Sequence, residues 1–177
     1  MYDIKAITEA VKKAIDEVEN RDTVKIGVSQ RHVHLSREDL ETLFGKGYEL
    51  TVKKYLMGRE FASNEVVTLV GPSLRAIENV RVLGPVRKHT QVEISRTDTF
   101  VLKVSPPVRP SGKVEGSEKL VLVGPRGSVY LKEGVIIANR HIHLTPEYAA
   151  AHGIHDTDDA NSAGLKHGAR VKIIKKN

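Results

Sequence analysis

One hexapeptide occurs twice in this chain. Residues 31–36 read Arg-His-Val-His-Leu-Ser and residues 140–145 read Arg-His-Ile-His-Leu-Thr, 109 positions apart. The simplest physical account is two related β-rich halves, each delivering one His-x-His segment. In an extended strand the side-chain period is two. His32 and His34 then share one face while Val33 points the other way, into a core; His141 and His143 do the same around Ile142. Both segments run into a helix start. Ser36 is a good N-cap with Asp39 three positions on, and Thr145 is an N-cap followed by Pro146 at the first helical position. Each histidine pair thus lies beside a helix N-terminus, where free N–H groups favour anions.

Side-by-side imidazoles make half a site for a divalent transition metal such as zinc. The two copies hold four of the eight histidines. They could close one four-histidine site or open two sites that need further ligands. Candidates for the extra ligands are Glu93, Glu65, His155, His152 and His167. Glu93 stands mid-strand in Gln91-Val92-Glu93-Ile94-Ser95, on the face opposite Val92 and Ile94. The plainer readings are histidines that hydrogen-bond each other at capped strand ends, and a solvent-facing strand glutamate. Arg87, in Gly84-Pro85-Val86-Arg87-Lys88, is a candidate anion clamp, because guanidinium meets phosphate with a fork of donors.

Periodicity over residues 3–19 predicts an amphipathic helix: Ile4, Ile7, Val11, Ile15 and Val18 recur at spacings of three and four, with charged residues between. It reads either as a helix packed on the body of the protein or as a docking peptide, and the short linker after it favours packing. Beyond Val24 short β-rich runs are broken by glycine and proline: Val24–Val28, Val66–Val70, Val80–Leu83, Gln91–Ile94, Phe100–Val104, Leu120–Val123, Val129–Leu131, Val135–Ile137 and Arg170–Ile174. Few long helical patterns lie between them, so the expectation is an antiparallel sandwich or barrel. Residues 105–112, Ser-Pro-Pro-Val-Arg-Pro-Ser-Gly, are the best linker candidate. A second echo runs through Leu69-Val70-Gly71-Pro72, Leu83-Gly84-Pro85 and Leu122-Val123-Gly124-Pro125.

Composition narrows the chemistry. With no cysteine, disulfides, thiolate zinc sites and a cysteine nucleophile are excluded. No apolar run approaches the roughly 20 residues that span a bilayer, and residues 1–22 lack the apolar core of a signal peptide, so a cytoplasmic location without membrane attachment is expected. The net charge of +6 comes with only 5% aromatic residues and no compact basic block. That argues against nucleic acid and leaves a basic surface or a site for a small, highly anionic ligand.

These segments together resemble a known family. Val28-Ser29-Gln30-Arg31-His32-Val33-His34-Leu35-Ser36, Leu69-Val70-Gly71-Pro72, Val82-Leu83-Gly84-Pro85-Val86-Arg87, Gln91 to Asp98, and Arg140-His141-Ile142-His143-Leu144 are similar to the PduL-type phosphate propanoyltransferases. The resemblance covers nearly the whole chain after residue 24. It implies a mainly β protein of two small β-barrel domains with short capping helices. The expected boundaries are an N-terminal amphipathic helix over 1–21, a first barrel over 22–105 and a second over 106–177. It also implies a dinuclear zinc site and interconversion of a short-chain acyl-CoA (propanoyl or acetyl) plus phosphate with acyl phosphate plus coenzyme A. By resemblance, His32, His34 and Glu93 hold the first metal, Arg87 binds phosphate and is the catalytic candidate, and His141, His143 and His155 hold the second metal. Many members work inside bacterial microcompartments in propanediol degradation, reached through a short N-terminal helix, so shell or cargo proteins are implied partners of residues 3–19. A homo-oligomer is compatible with all of this.

One departure stands out. In the family a β-rich stretch separates the second His-x-His motif from the late histidine. Here His143 and His155 are twelve apart, and Gly153-Ile154 joins straight to His155-Asp156-Thr157-Asp158. Either this chain has lost part of its second barrel or a segment is omitted. Two alternative functions stay open: a metal-dependent thioesterase, and a shortened non-catalytic relative that binds coenzyme A or a partner.

Overall fold

The structure, a computed structural model, describes residues 3–19, 23–25, 31–56, 58–139 and 170–172. The chain divides into two compact units, residues 1–29 with 160–177, and residues 30–159.

In the first unit, helix α1 spans Ile4–Glu19 and strand β1 spans Thr23–Lys25. Strand β10, Arg170–Lys172, pairs antiparallel with β1 and sets Val24 opposite Val171. Asp3 begins the helix by accepting from the backbone N–H groups of Lys5 and Ala6. The apolar residues Ile4, Ile7, Val11, Ile15 and Val18 are all exposed.

The second unit is a closed barrel. Its elements run β2 (His32–Ser36), α2 (Arg37–Phe44), β3 (Val52–Tyr55), β4 (Phe61–Val70), β5 (Ala76–Arg87), β6 (Gln91–Glu93), α3 (Arg96–Leu102), β7 (Val108–Arg109), β8 (Glu118–Val123) and β9 (Ser128–Ala138). Strand order is β4-β5-β2-β6-β9-β8, and β8 pairs back to β4, which closes six strands into a ring. Closure leaves no free edge within the ring. β3 flanks β4, and β7 flanks β9.

The ring is built from two copies of one β-α-β-β unit. β2-α2-β4-β5 and β6-α3-β8-β9 have matching pairings: β2 runs parallel to β5 and β6 parallel to β9, while β4–β5 and β8–β9 are antiparallel. The copies meet through antiparallel β2–β6 and β4–β8 pairs. The sheet is therefore mixed. The expected all-antiparallel arrangement fails because α2 and α3, though only two turns or so each, provide the crossovers that parallel pairing requires.

Val33, Leu35, Leu40, Leu43, Val67, Leu69, Val82, Val92, Ile94, Leu120, Leu122 and Val135 form the core. Val33 and Leu35 on β2, and Val92 on β6, are completely buried. Each such side chain contributes roughly 1.5–3 kcal/mol relative to exposure. This anchoring fixes the other face of both strands, so the register of the site follows from the core.

Two expectations are corrected. Residues 100–104 do not form a strand; Phe100 lies in α3, nucleated by a capping box in which Ser95 accepts from the Asp98 N–H and Asp98 accepts from the Ser95 N–H. That local device overrides the β propensity of Phe100-Val101. Residues 105–112 are not a linker. Val108 and Arg109 pair parallel with Ile137 and Ala138, and the loop that follows turns back onto β6. The barrel itself takes β8 and β9 from beyond this stretch.

The glycine echo also has a physical basis. A Cβ on Gly71 would lie 1.9 Å from the Leu102 carbonyl oxygen, and one on Gly124 would lie 2.6 Å from the Leu43 carbonyl oxygen. Each glycine follows a barrel strand and sits against the C-terminal end of the other copy's helix.

Candidate metal centre

The β2–β6 pair places His32 opposite Glu93, Val33 opposite Val92 and His34 opposite Gln91. With the valines buried inward, the four polar side chains form a square on the opposite face. His34 is 2% exposed and Glu93 8%, so the reading of Glu93 as a solvent-facing strand residue does not hold. Donor atoms of His32, His34 and Glu93 all lie within 4.8 Å of one another. His32 Nε2 is 3.4 Å from Glu93 Oε2. Tetrahedral donors at zinc bond lengths of about 2.0–2.2 Å lie roughly 3.4 Å apart, so this pair is already spaced for one ion.

His34 supplies the strongest sign that a cation belongs there. Its Nδ1 is buried and has no hydrogen-bond partner among the described residues. Burial, then the Arg87 guanidinium, then His32 hold its pKa down at about 3. The imidazole is thus neutral at physiological pH and offers a lone pair, the form a metal ligand needs. The two rings stand edge to face with centroids 5.1 Å apart. An N, N, O donor set of this kind suits zinc.

A hydrogen-bonded chain surrounds the carboxylate. Glu93 Oε1 accepts from Gln91 Nε2 at 2.6 Å and from Ser111 Oγ at 2.9 Å. Gln91 Nε2 also donates to Ser111 Oγ at 2.9 Å, and Gln91 Oε1 accepts from the Gly112 N–H at 2.6 Å. Arg87, at the end of β5, donates to Ser111 Oγ at 3.3 Å and pairs with Glu60 at 2.7 Å. The guanidinium is therefore joined through one hydroxyl to the carboxylate of the cluster.

The remaining residues singled out by sequence divide clearly. Glu65 is buried elsewhere, accepting from Tyr48 and Thr51, and takes no part in the cluster. His141, His143, His155, His152 and His167 lie outside the described residues, as does the Thr145-Pro146 helix start. Ser36 does cap α2, accepting from the Asp39 N–H at 3.1 Å. Asp39 itself accepts from Thr90, while its counterpart Asp98 accepts from Arg31 at 2.7 and 2.9 Å.

Gln91, Ser111 and Glu60 escaped the sequence reading. A signal for Gln91 was present. Residues 90–95, Thr-Gln-Val-Glu-Ile-Ser, form a middle copy of the duplicated hexapeptide, with Glu93 59 positions after His34 and 50 before His143. In this alignment Gln91 matches His32, Glu93 matches His34 and Ser95 matches Ser36. Only the valine, the Ile/Leu position and the serine are shared or conservative, which hides the repeat from a search keyed on histidine.

Residues 25–175 match the family model for phosphate propanoyltransferase. A phosphate propanoyltransferase of Lachnoclostridium phytofermentans is 54% identical over 158 residues, 88% of this chain and 74% of that protein. One of Thermotoga maritima is 55% identical over 157 residues, 86% of this chain and 74% of its own length. One of Listeria monocytogenes is 38% identical over 207 aligned positions, covering 95% of this chain and 97% of that protein. The 207 positions exceed this chain's 177 residues by 30, so at least 30 positions of the Listeria alignment have no counterpart here. No helix among the described residues is long and apolar enough to cross a membrane. This chain belongs to the phosphate propanoyltransferase family.

Proposed function

We propose that this chain transfers a short acyl group, propanoyl or acetyl, between coenzyme A and phosphate, with zinc held by His32, His34 and Glu93. The observation that carries the proposal is the buried cluster itself: three ligand-type side chains, a His34 Nδ1 without a partner among the described residues, and Arg87 linked to Glu93 through Ser111. When bound there, zinc would supply Lewis acidity toward the thioester or the departing thiolate.

In the forward direction a phosphate oxygen attacks the thioester carbonyl carbon. The C–O bond forms, the C–S bond breaks, and coenzyme A leaves as thiolate. Arg87 is the residue assigned to phosphate. Its Nη2 rests on Glu60 and its Nη1 on Ser111, which fixes the plane of the fork before phosphate arrives. Fixing the reactant and excluding its motion lowers the barrier through orientation. No side-chain nucleophile is needed, in keeping with a chain that has no cysteine.

The wider reading includes a second zinc on His141, His143 and His155. It also includes a second barrel whose first strand pair is β1 with β10, formed within the unit of residues 1–29 and 160–177. The exposed apolar stripe of α1 is assigned to docking on microcompartment shell or cargo proteins. The counterpart-free positions favour one competing reading, a shortened relative that binds but does not turn over. Metal content separates the two: two zinc per chain supports the enzyme, one supports the binding protein.

The direct test incubates zinc-loaded protein with propanoyl-CoA, with and without phosphate, and follows free thiol. Release that depends on phosphate is expected; release independent of phosphate indicates a thioesterase. Arg87→Ala should raise the phosphate KM while leaving zinc content intact, and an unchanged phosphate dependence would remove Arg87 from its role.

A further inference from the structure

The square of side chains on β2 and β6 has four corners, and the fourth is an amide. Gln91 lies across from His34 as Glu93 lies across from His32. It is 2% exposed, so its amide must find partners within the protein.

Those partners fix every atom. The Gly112 backbone N–H can only donate, so the group facing it at 2.6 Å is the Gln91 oxygen and not its nitrogen. The NH2 group then faces Glu93 Oε1 and Ser111 Oγ, which lie side by side, and donates to both. Ser111 has one hydrogen, and the Glu93 carboxylate can only accept, so the hydroxyl donates to Glu93. Its lone pairs are left for Gln91 and for Arg87 Nη1. Every contact in this set then joins a donor to an acceptor.

Two consequences follow. Oε1 of Glu93 is held by two donors, so the carboxylate presents Oε2, the oxygen on the His32 side, to any cation. Meanwhile the 110–112 loop is pinned to β6 through Gln91, and that loop carries the hydroxyl on which Arg87 leans. Gly112 suits the pin: its φ of +90° is a conformation that residues with a Cβ rarely adopt, and it turns the N–H onto Gln91.

We propose that Gln91 is a positioning residue that sets the metal carboxylate and the phosphate-binding guanidinium in one shared geometry, acting through Ser111. This rests on the reading of His32, His34 and Glu93 as zinc ligands. Its chemistry resembles that of other groups that orient a ligand without touching the metal, whose loss costs about 10–100-fold in metal affinity.

The test uses the full chain as Gln91→Met, which keeps length and volume but removes the amide, together with Ser111→Ala and the double variant. Zinc affinity is measured by competition with a chelator on protein shown to be folded by circular dichroism, and phosphate KM is measured separately. Gln91→Met should bind zinc about 10–100-fold more weakly and raise the phosphate KM. The double variant should lose little beyond the worse single one, since both substitutions break one connection. Wild-type zinc affinity and phosphate KM in folded Gln91→Met overturn the proposal, even if its thermal midpoint falls. Should Gln91→Met not fold, unchanged zinc affinity in Ser111→Ala overturns it equally. Wild-type protein that binds zinc no more tightly than His34→Ala defeats the metal reading itself, a different failure.

Discussion

Replacing Asp98 by Asn should destabilise the barrel by an amount set by its hydrogen-bonding geometry. Asp98 is 2% exposed and belongs at once to the α3 cap and to a link across the two repeat copies. Its Oδ1 accepts two bonds from Arg31, at 2.9 and 2.7 Å, and its Oδ2 accepts the Ser95 N–H at 2.9 Å. Both oxygens thus face donors. An Asn side chain has one oxygen and one NH2, so in either orientation the NH2 confronts a donor. Breaking a buried pair from one side costs about 3–5 kcal/mol when the abandoned charge stays buried. The Arg31 side chain is 38% exposed and can turn toward water, which removes part of that cost. The expected loss is therefore about 2–3 kcal/mol.

The same geometry fixes a pH dependence. Burial alone would raise the Asp98 pKa, but the bonds from Arg31 and Ser95 outweigh it and hold the carboxyl below its usual range. A depressed folded pKa contributes stability above the unfolded value of about 3.9, and that contribution is lost as pH falls through the folded value. Wild type should therefore lose more stability than Asp98→Asn on acidification from about pH 5 downward. The chain has no tryptophan, and with two units a single global transition cannot be assumed. Hydrogen exchange at the Val33 and Val92 amides, both in the barrel, is the suitable readout. A loss under about 1 kcal/mol, or wild type and variant declining in parallel with pH, would refute the reasoning.

Two further outcomes are expected. Gly71→Ala forces a Cβ to 1.9 Å from the Leu102 carbonyl oxygen and should cost the barrel about 3 kcal/mol by hydrogen exchange at the same amides. Gly45→Ala, at a φ of +113° and ψ of 154° that residues with a Cβ scarcely adopt, should cost about 1–3 kcal/mol from backbone strain although open space surrounds it. Stripping metal with a chelator should lower the thermal midpoint, and zinc at 100 times its Kd should return about 2.7 kcal/mol in wild type but not in His34→Ala.

What the sequence made legible, and what it hid, follow from one distinction. His32, His34 and Glu93 could be read because a two-residue period places alternate side chains on one face, and their types name their chemistry. β5 and β8 could be read as short β-rich runs broken by glycine and proline. The helix α3 was hidden because Phe100 and Val101 have strand propensity, and only a cap worth about 1 kcal/mol decides the matter. The loop carrying Ser111 looked like a linker because proline and glycine mark irregular backbone, wherever that backbone goes. Where it goes is a tertiary fact: the Gly112 N–H meets an amide 21 positions earlier in the chain.

The middle copy of the hexapeptide shows the same distinction inside the site itself. The antiparallel contact between β2 and β6 brings the equivalent strands of the two β-α-β-β units face to face. Such a contact sets matching positions on diagonal corners, His32 with Gln91 and His34 with Glu93. A cluster of four identical ligands would close the coordination shell with protein and leave no open position for a substrate. With Gln and Glu in one copy where the other has two histidines, the square holds a carboxylate beside the imidazoles and an amide that donates to it. The barrel's symmetry therefore brings the four side chains together, and its breaking at residues 91 and 93 supplies the carboxylate and the amide on which the proposed metal site depends.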